Sequence, residues 1–442
     1  MAGLSASKEW NEVFKKRHLE TLFDQKIKGR ASVGLDWITV GQFEDNLDSN
    51  IDIILRKCNA ETYHFTRYRE ILLSKGAKKA PRCISIPTIR DKLVFSALNE
   101  ILTKVYGTST ATPMPQVIIK EIAEALGNPI YNTFIKTDIQ SFYASVDHEI
   151  LLKQLNRKVR KSSIRTLIKQ ALCTSTGQPN TLRTTDTRTK GIPEGLSISN
   201  ILANIYMRPI DNKYTAMTEC AFWRYVDDIL IFTTEEYASQ LKNCLISDAS
   251  ELSLTLSEEK TVLGSIQEGF EYLGYCISEN KVSVRQSSII KLERTLETIF
   301  RSYHNAQVPN AEYLQWKINL KITGFVLDNH KYGWIFFYSQ ISDLSSLSRL
   351  DWLICVFCKR FSIEGIRFKS FMKAYHEITK ALHTTTYIPN LDQMTIEEKR
   401  HIVRDVYNEN PKDDDDAFIE MRFKRLMSKE IRDIQKDVQS FS

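Results

Sequence analysis

The chain has 442 residues, with 60 Lys+Arg against 54 Asp+Glu for a formal net charge of +6, and is 42% apolar and 26% charged. That length exceeds what one compact core serves and predicts two to four domains, while the composition excludes a wholly disordered chain, a fibre and a membrane protein. No run reaches the ~18 apolar residues that a bilayer span needs, and the N-terminal ten residues lack a basic region followed by an apolar core, so a cytoplasmic protein is expected.

In chain order, residues 9–26 read as an amphipathic helix, and residues 91–102 as another with Leu93, Val94, Ala97, Leu98 and Ile101 on one face. Residues 131–139 read as a strand, 198–207 as a helix, 221–232 as strand-turn-strand and 271–277 as one strand, so the middle third is mixed α/β. From Ser288 onward the pattern is mostly helical, with a break at 305–310, an aromatic strand pair around 331–338 and a charged helical end. Between Leu151 and Lys190 ten Lys/Arg stand against one acid, Asp186, a density expected of a surface that faces a polyanion or of a solvated helix face. Eight scattered cysteines do not make a disulfide scaffold, and Cys355 and Cys358, in an apolar run without a second pair, are read as packing.

The chemistry-bearing segment is Phe222-Trp-Arg-Tyr-Val-Asp-Asp-Ile-Leu-Ile-Phe232, where Asp227 and Asp228 interrupt an apolar and aromatic run. Two unpaired carboxylates beside a core strand cost several kcal/mol unless a cation or dense hydrogen bonding compensates. An Asp-Asp step also favours a turn, which predicts a hairpin with the carboxylates at its tip. Upstream, Thr133-Phe-Ile-Lys-Thr-Asp138 is a second apolar strand that ends in a carboxylate. If the strands are neighbours the three acids converge, and hard oxygen ligands held rigidly suit a pair of Mg2+ ions about 3.5–4 Å apart. Between these segments, Gly191-Ile-Pro-Glu-Gly-Leu-Ser197 is a Gly/Pro-rich loop that feeds a helix.

These blocks resemble the successive motifs of reverse transcriptases, in particular the bacterial branch of group II intron, retron and defence-associated, abortive-infection-like enzymes. Tyr225-Val-Asp-Asp228 is similar to the catalytic hairpin, Asp138 to the first catalytic aspartate, and 191–204 to the glycine-led template and nucleotide loop. Gly34-Leu-Asp36 with Phe43, Arg82-Cys-Ile-Ser-Ile-Pro87 with Arg90-Asp-Lys92, Ser257-Glu-Glu-Lys-Thr261 and Phe270-Glu-Tyr-Leu-Gly-Tyr275 resemble further family blocks in the family's order. The resemblance covers residues 34–275 and implies an α/β (α+β) right-hand polymerase: fingers over 1–130, a palm over 131–280 with a second fingers segment near 149–190, a helical thumb over 281–345 and a helical C-terminal extension over 346–442.

It implies RNA-directed DNA synthesis, with Asp138, Asp227 and Asp228 catalytic and, together with the Ile139 carbonyl, ligands of two Mg2+ ions, Mn2+ serving in their place. Arg82, with Lys78 just upstream, would bind the triphosphate. Tyr143 would underlie the sugar and block a 2′-hydroxyl, with Phe142 beside it read as core or nucleotide contact. Gly191 and Glu194 fall in the nucleotide loop and Tyr272, Leu273 and Gly274 in the primer grip. Lys260 matches the lysine that protonates pyrophosphate, a phosphate contact or a surface role being the alternatives. Asp147 and His148 are read as capping the next helix. The implied partners are an RNA template, a dedicated noncoding RNA serving anti-phage defence, a DNA primer or product, deoxynucleoside triphosphates, and a second copy or another protein. One departure stands out: intron-type relatives carry Gln where this chain has Glu194, and Ser-Pro where it has Ser199-Asn200. An untemplated or protein-primed polymerase therefore stays open, as does, in another class, a non-catalytic RNA-binding scaffold.

Overall fold

A computed structural model describes residues 5–29, 31–74, 80–178, 188–279, 281–409 and 415–438. Two compact units divide the chain: Met1–Pro113 with Ile130–Gly264, and Met114–Pro129 with Ser265–Ser442.

The first unit is built on a four-stranded sheet in the order β5 (Ala221–Tyr225), β6 (Asp228–Thr233), β3 (Thr133–Asp138) and β7 (Val262–Ser265). β3 and β6 run antiparallel from Thr133↔Thr233 to Asp138↔Asp228. Ile229 and Ile231 of β6 enter the main core together with Leu202 and Ile205 of the Ser199–Thr215 helix and Leu241 and Leu245 of the Glu235–Glu251 helix. Leu230 and Phe232 project to the other face, where Phe232 meets the Trp223 ring edge-on at 5.0 Å. Both faces of β6 are thus apolar and buried, as expected of a central strand covered on both sides. A smaller sheet, β2 (Arg82–Ile86), β1 (Tyr68–Leu73) and β4 (Thr176–Gly177), flanks the Ile89–Tyr106 helix, which is capped by Thr88 and buries Leu93, Val94, Ala97, Leu98 and Ile101.

The expected helix over 9–26 is broken into Ala6–Val13 and Lys16–Leu22, ending in a wider turn at Phe23–Ile27. The expected strand over 271–277 is a hairpin of β8 (Phe270–Tyr272) and β9 (Tyr275–Ser278), with Leu273 and Gly274 both at positive φ. β10 (Lys281–Val284) completes that sheet, which belongs to the second unit. The aromatic strand pair expected at 331–338 is also different: β12 (His330–Tyr332) turns back on β11 (Phe325–Leu327), and Trp334–Phe337 is a helical turn. The strand stops at Gly333 because this backbone lies against Gly324, where an added Cβ would come within 2.7 Å of the Gly324 Cα.

The rest of the second unit is helical, with Gln286–His304, Ala311–Thr323, Ser345–Arg360 and Asp416–Val438 its longest elements. Cys355 is exposed and Cys358 partly buried on the Ser345–Arg360 helix, and neither is in a disulfide. Among the described residues no helix is long and apolar enough to cross a membrane.

Candidate active site

The antiparallel register sets Asp138, the last residue of β3, directly opposite Asp228, the first residue of β6. Tyr225 pairs with Asp228 across the β5–β6 hairpin, so the two-residue tip is Val226-Asp227 and only one of the adjacent carboxylates lies in the turn. Asp227 accepts a backbone bond from Ile139 N at 3.2 Å, joining the tip to the end of β3. Asp138, Asp228 and the turn residue Asp227 therefore meet at one end of the two central strands.

The chain after Asp138 is stitched to residues 255–257: Gln140 N donates to Thr255 O at 2.9 Å and Ser257 N to Asp138 O at 2.8 Å. Thr137 and Thr261 share a hydroxyl hydrogen bond at 2.7 Å. These bonds carry Lys260 to the site, where its ammonium donates to Asp138 Oδ2.

Burial raises the Asp227 carboxyl, and the Asp138 charge adds to it. Asp228 is pushed up to about 7, first by burial and then by the charges of Asp227 and Asp138. Burial disfavours the Lys260 ammonium, but the hydrogen bond and charge of Asp138 outweigh it and hold its pKa above the ordinary lysine value. This is the electrostatics of clustered anions with too little counter-charge, and hard oxygen donors in that state suit a divalent cation. No group of three His, Cys, Asp or Glu side chains stands already closed around one metal position among the described residues.

The other predicted residues fall as follows. Arg82 opens β2, and its Nε donates to Glu194 Oε2, while Ser85 N donates to Glu194 O at 2.7 Å. The loop bearing Glu194 is held on its other side by Gly191 N to Val146 O at 2.8 Å and Ile192 N to Tyr143 O at 2.7 Å. His148 Nε2 contacts Gly191 O at 2.8 Å, and Asp147 caps its helix by accepting from Glu149 N and Ile150 N. Tyr143 is half-buried, its phenol pushed up to about 12 by burial first and the Glu194 charge second. Phe142 is 2% exposed and packs in the core, with no surface to offer a nucleotide. Ile139 is buried at the end of β3. Tyr272, Leu273 and Gly274 form the β8–β9 turn of the second unit. Lys78 lies outside the described residues.

Sequence reasoning missed Arg224. The residue before the tetrad is a cation in an otherwise apolar strand, with a side chain only 8% exposed, and it donates to Asp211, Asn204 and the Val226 carbonyl. The available signal was a cation inside an apolar strand run, two residues before the Val226-Asp227 turn.

Residues 73–277 match the family described as reverse transcriptase (RNA-dependent DNA polymerase). These residues form a reverse transcriptase domain. Its small antiparallel sheet backed by helices agrees with the right-hand polymerase fold that the sequence predicts. An uncharacterized 91 kDa protein in a cob intron of Schizosaccharomyces pombe is 30% identical over 188 residues, 39% of this chain and 22% of that protein. Protein YkfC of Escherichia coli is 21% identical over 346 residues, 68% of this chain and 88% of its own. The group II intron-encoded protein LtrA of Lactococcus lactis is 27% identical over 205 residues, 45% of this chain and 33% of LtrA. The chain thus spans a third or less of the two intron-encoded relatives.

Proposed function

We propose that this protein is an RNA-directed DNA polymerase that adds deoxynucleotides to a 3′-hydroxyl in the cytoplasm. The observation that carries the reading is the pairing of Asp138 with Asp228, with Asp227 at the adjoining tip, inside a reverse transcriptase domain. Asp138, Asp227, Asp228 and the Ile139 carbonyl would hold two Mg2+ or Mn2+ ions, which when bound acidify the attacking hydroxyl and neutralise the triphosphate. Arg82 binds the triphosphate, Tyr143 lies under the sugar, and Lys260 serves the leaving pyrophosphate. Fingers, palm, thumb and extension take the boundaries given above.

A polyanionic partner is supported by Lys153, Arg157, Lys158, Arg160 and Lys169, which are exposed on and between two helices of the first unit. Lys158 and Arg208 both stand over the buried Tyr106 ring, at 5.1 and 5.3 Å, which holds these cations at the surface. We assign it to RNA, a dedicated noncoding RNA in the defence reading, because phosphate neutralisation dominates such binding. Purified protein with its bound RNA, Mg2+ and labelled deoxynucleotides is expected to make DNA, and Asp227→Ala with Asp228→Ala to abolish synthesis; equal incorporation by the double variant sinks the assignment. Phage plating on cells carrying the same variant tests the antiviral role.

A second reading, untemplated or protein-primed synthesis, is favoured by one observation: Glu194 occupies the Arg82 guanidinium in the nucleotide loop. Sequencing the DNA product against the co-purified RNA separates the two readings.

A further inference from the structure

The tip that carries Asp227 is built on a strained residue. Val226 has φ 58°, a left-handed conformation that a β-branched side chain rarely adopts and that costs about 1–3 kcal/mol. Something must hold it, and the neighbouring bonds show what does. The Val226 carbonyl accepts from Arg224 Nη1 at 2.7 Å. The Asp227 carbonyl accepts from Ile139 N at 3.2 Å. The first carbonyl belongs to the peptide plane before Asp227 and the second to the plane after it. With both planes fixed, φ and ψ of Asp227 are fixed, and so is the direction in which its carboxylate leaves the backbone.

Arg224 is itself anchored. Its Nε and Nη2 grip the two oxygens of Asp211 at 2.7 and 2.6 Å, a bidentate fork of the kind only a guanidinium makes. Both terminal nitrogens also reach Asn204 Oδ1 at 3.3 Å. The Asn204 amide is oriented from behind, because its Nδ2 donates to Thr110 O at 2.9 Å and to Thr112 Oγ1 at 2.7 Å. Asp211 and Asn204 lie on the Ser199–Thr215 helix, a rigid element of the same unit. One guanidinium thus ties the active-site tip to the helix behind the sheet.

We infer that Arg224 is a positioning residue for metal-dependent nucleotide transfer: through the Val226 carbonyl it sets the peptide plane that aims Asp227. The inference rests on the polymerase reading and adds a named support to it. A buried Arg–Asp pair that merely stabilises the fold is the rival, and the two differ in what lysine can replace. In Arg224→Lys a single ammonium keeps a positive charge facing Asp211 but cannot grip both carboxylate oxygens and reach the Val226 carbonyl together.

The experiment compares wild type, Arg224→Lys and Asp211→Asn for thermal unfolding, Mn2+ binding followed by electron paramagnetic resonance without turnover, and primer extension against Mg2+ and deoxynucleotide concentration. Folded Arg224→Lys is expected to bind Mn2+ about 10- to 100-fold more weakly and to lose kcat by a similar factor, the range found when outer ligands that orient a metal site are removed. Its deoxynucleotide KM is expected to stay within about twofold of wild type, since no substrate contact is lost. Unchanged Mn2+ affinity and kcat in folded Arg224→Lys overturns the inference. Should that variant fail to fold, Asp211→Asn decides: it weakens the fork that holds the guanidinium against the Val226 carbonyl, so weaker Mn2+ binding supports the inference and wild-type binding overturns it. If wild type makes no DNA, the polymerase reading fails and the Mn2+ titration alone judges Arg224.

Discussion

Arg82 and Glu194 are 112 residues apart in the chain and bonded in the fold. The pair is about a third exposed, with side-chain exposures of 42% and 25%, so its strength is that of a solvent-screened ion pair, about 0.2–1 kcal/mol. A triphosphate that recruits Arg82 must first displace Glu194, and this energy sets the scale of the penalty. Glu194→Gln, which removes the charge and keeps the shape, is therefore expected to lower the deoxynucleotide KM by about 1.5- to 5-fold. Arg82→Ala removes charge-assisted hydrogen bonds worth about 1.5–3 kcal/mol and is expected to raise it by about 10- to 100-fold. Steady-state kinetics on both variants checks the assignment; a KM that neither change moves takes Arg82 away from the triphosphate. At this scale the clustering of Asp138, Asp227 and Asp228 was legible because acids in an apolar strand have few structural excuses. The partners of Glu194 and Arg224 were not, because a single sequence does not say which distant side chain satisfies a charge.

At the scale of elements, the strands around the acids were legible because their apolar patterning has the right length and ends in carboxylates. The β8–β9 hairpin was not, since its turn uses Leu273 at φ 46°, a residue that normally signals a continuing strand. The loop over residues 191–197 is the element whose geometry has the most direct consequence. A Cβ on Gly195, at φ 104°, would sit 2.7 Å from Ser85 O and 2.8 Å from Ile84 Cγ2, so β2 and the loop approach closely at this point. Neither contact can yield easily, because the first is backbone and the second belongs to a paired strand. Gly195→Ala is expected to push the loop off β2, breaking Ser85 N to Glu194 O and moving Arg82. The anticipated result is a raised deoxynucleotide KM at a cost of about 1–3 kcal/mol in local strain. Kinetics alongside thermal unfolding tests this, and a variant with wild-type KM would mean that the loop does not set the position of Arg82.

At the scale of the whole molecule, the charged C-terminal segment reads in sequence as helical, and two of its acids, Glu430 and Asp437, are buried. Glu430 accepts from Lys317 at 2.6 and 2.7 Å and from Tyr407 OH at 2.8 Å. Asp437 accepts from Lys321 and, at 2.8 Å, from Thr295 Oγ1. Both lysines lie on the Ala311–Thr323 helix, four residues apart, so the pairs fix the register of the Asp416–Val438 helix against it. Phe423, Met427 and Ile434 fill the same interface with Leu320 and Phe325. The segment is a structural member of the second unit, and cutting either pair leaves a buried charge without a partner. Glu430→Ala is expected to destabilise that unit by about 3–5 kcal/mol, because Lys317, with its side chain 10% exposed, is then uncompensated. Replacing both partners, as Lys317→Met with Glu430→Leu, removes the desolvation cost together with the attraction and is expected to recover most of the loss. Urea unfolding resolves the question if the two units melt separately or together. A double variant no more stable than Glu430→Ala would show that the pair contributes net stability, and that the polar contacts of Tyr407 depend on it.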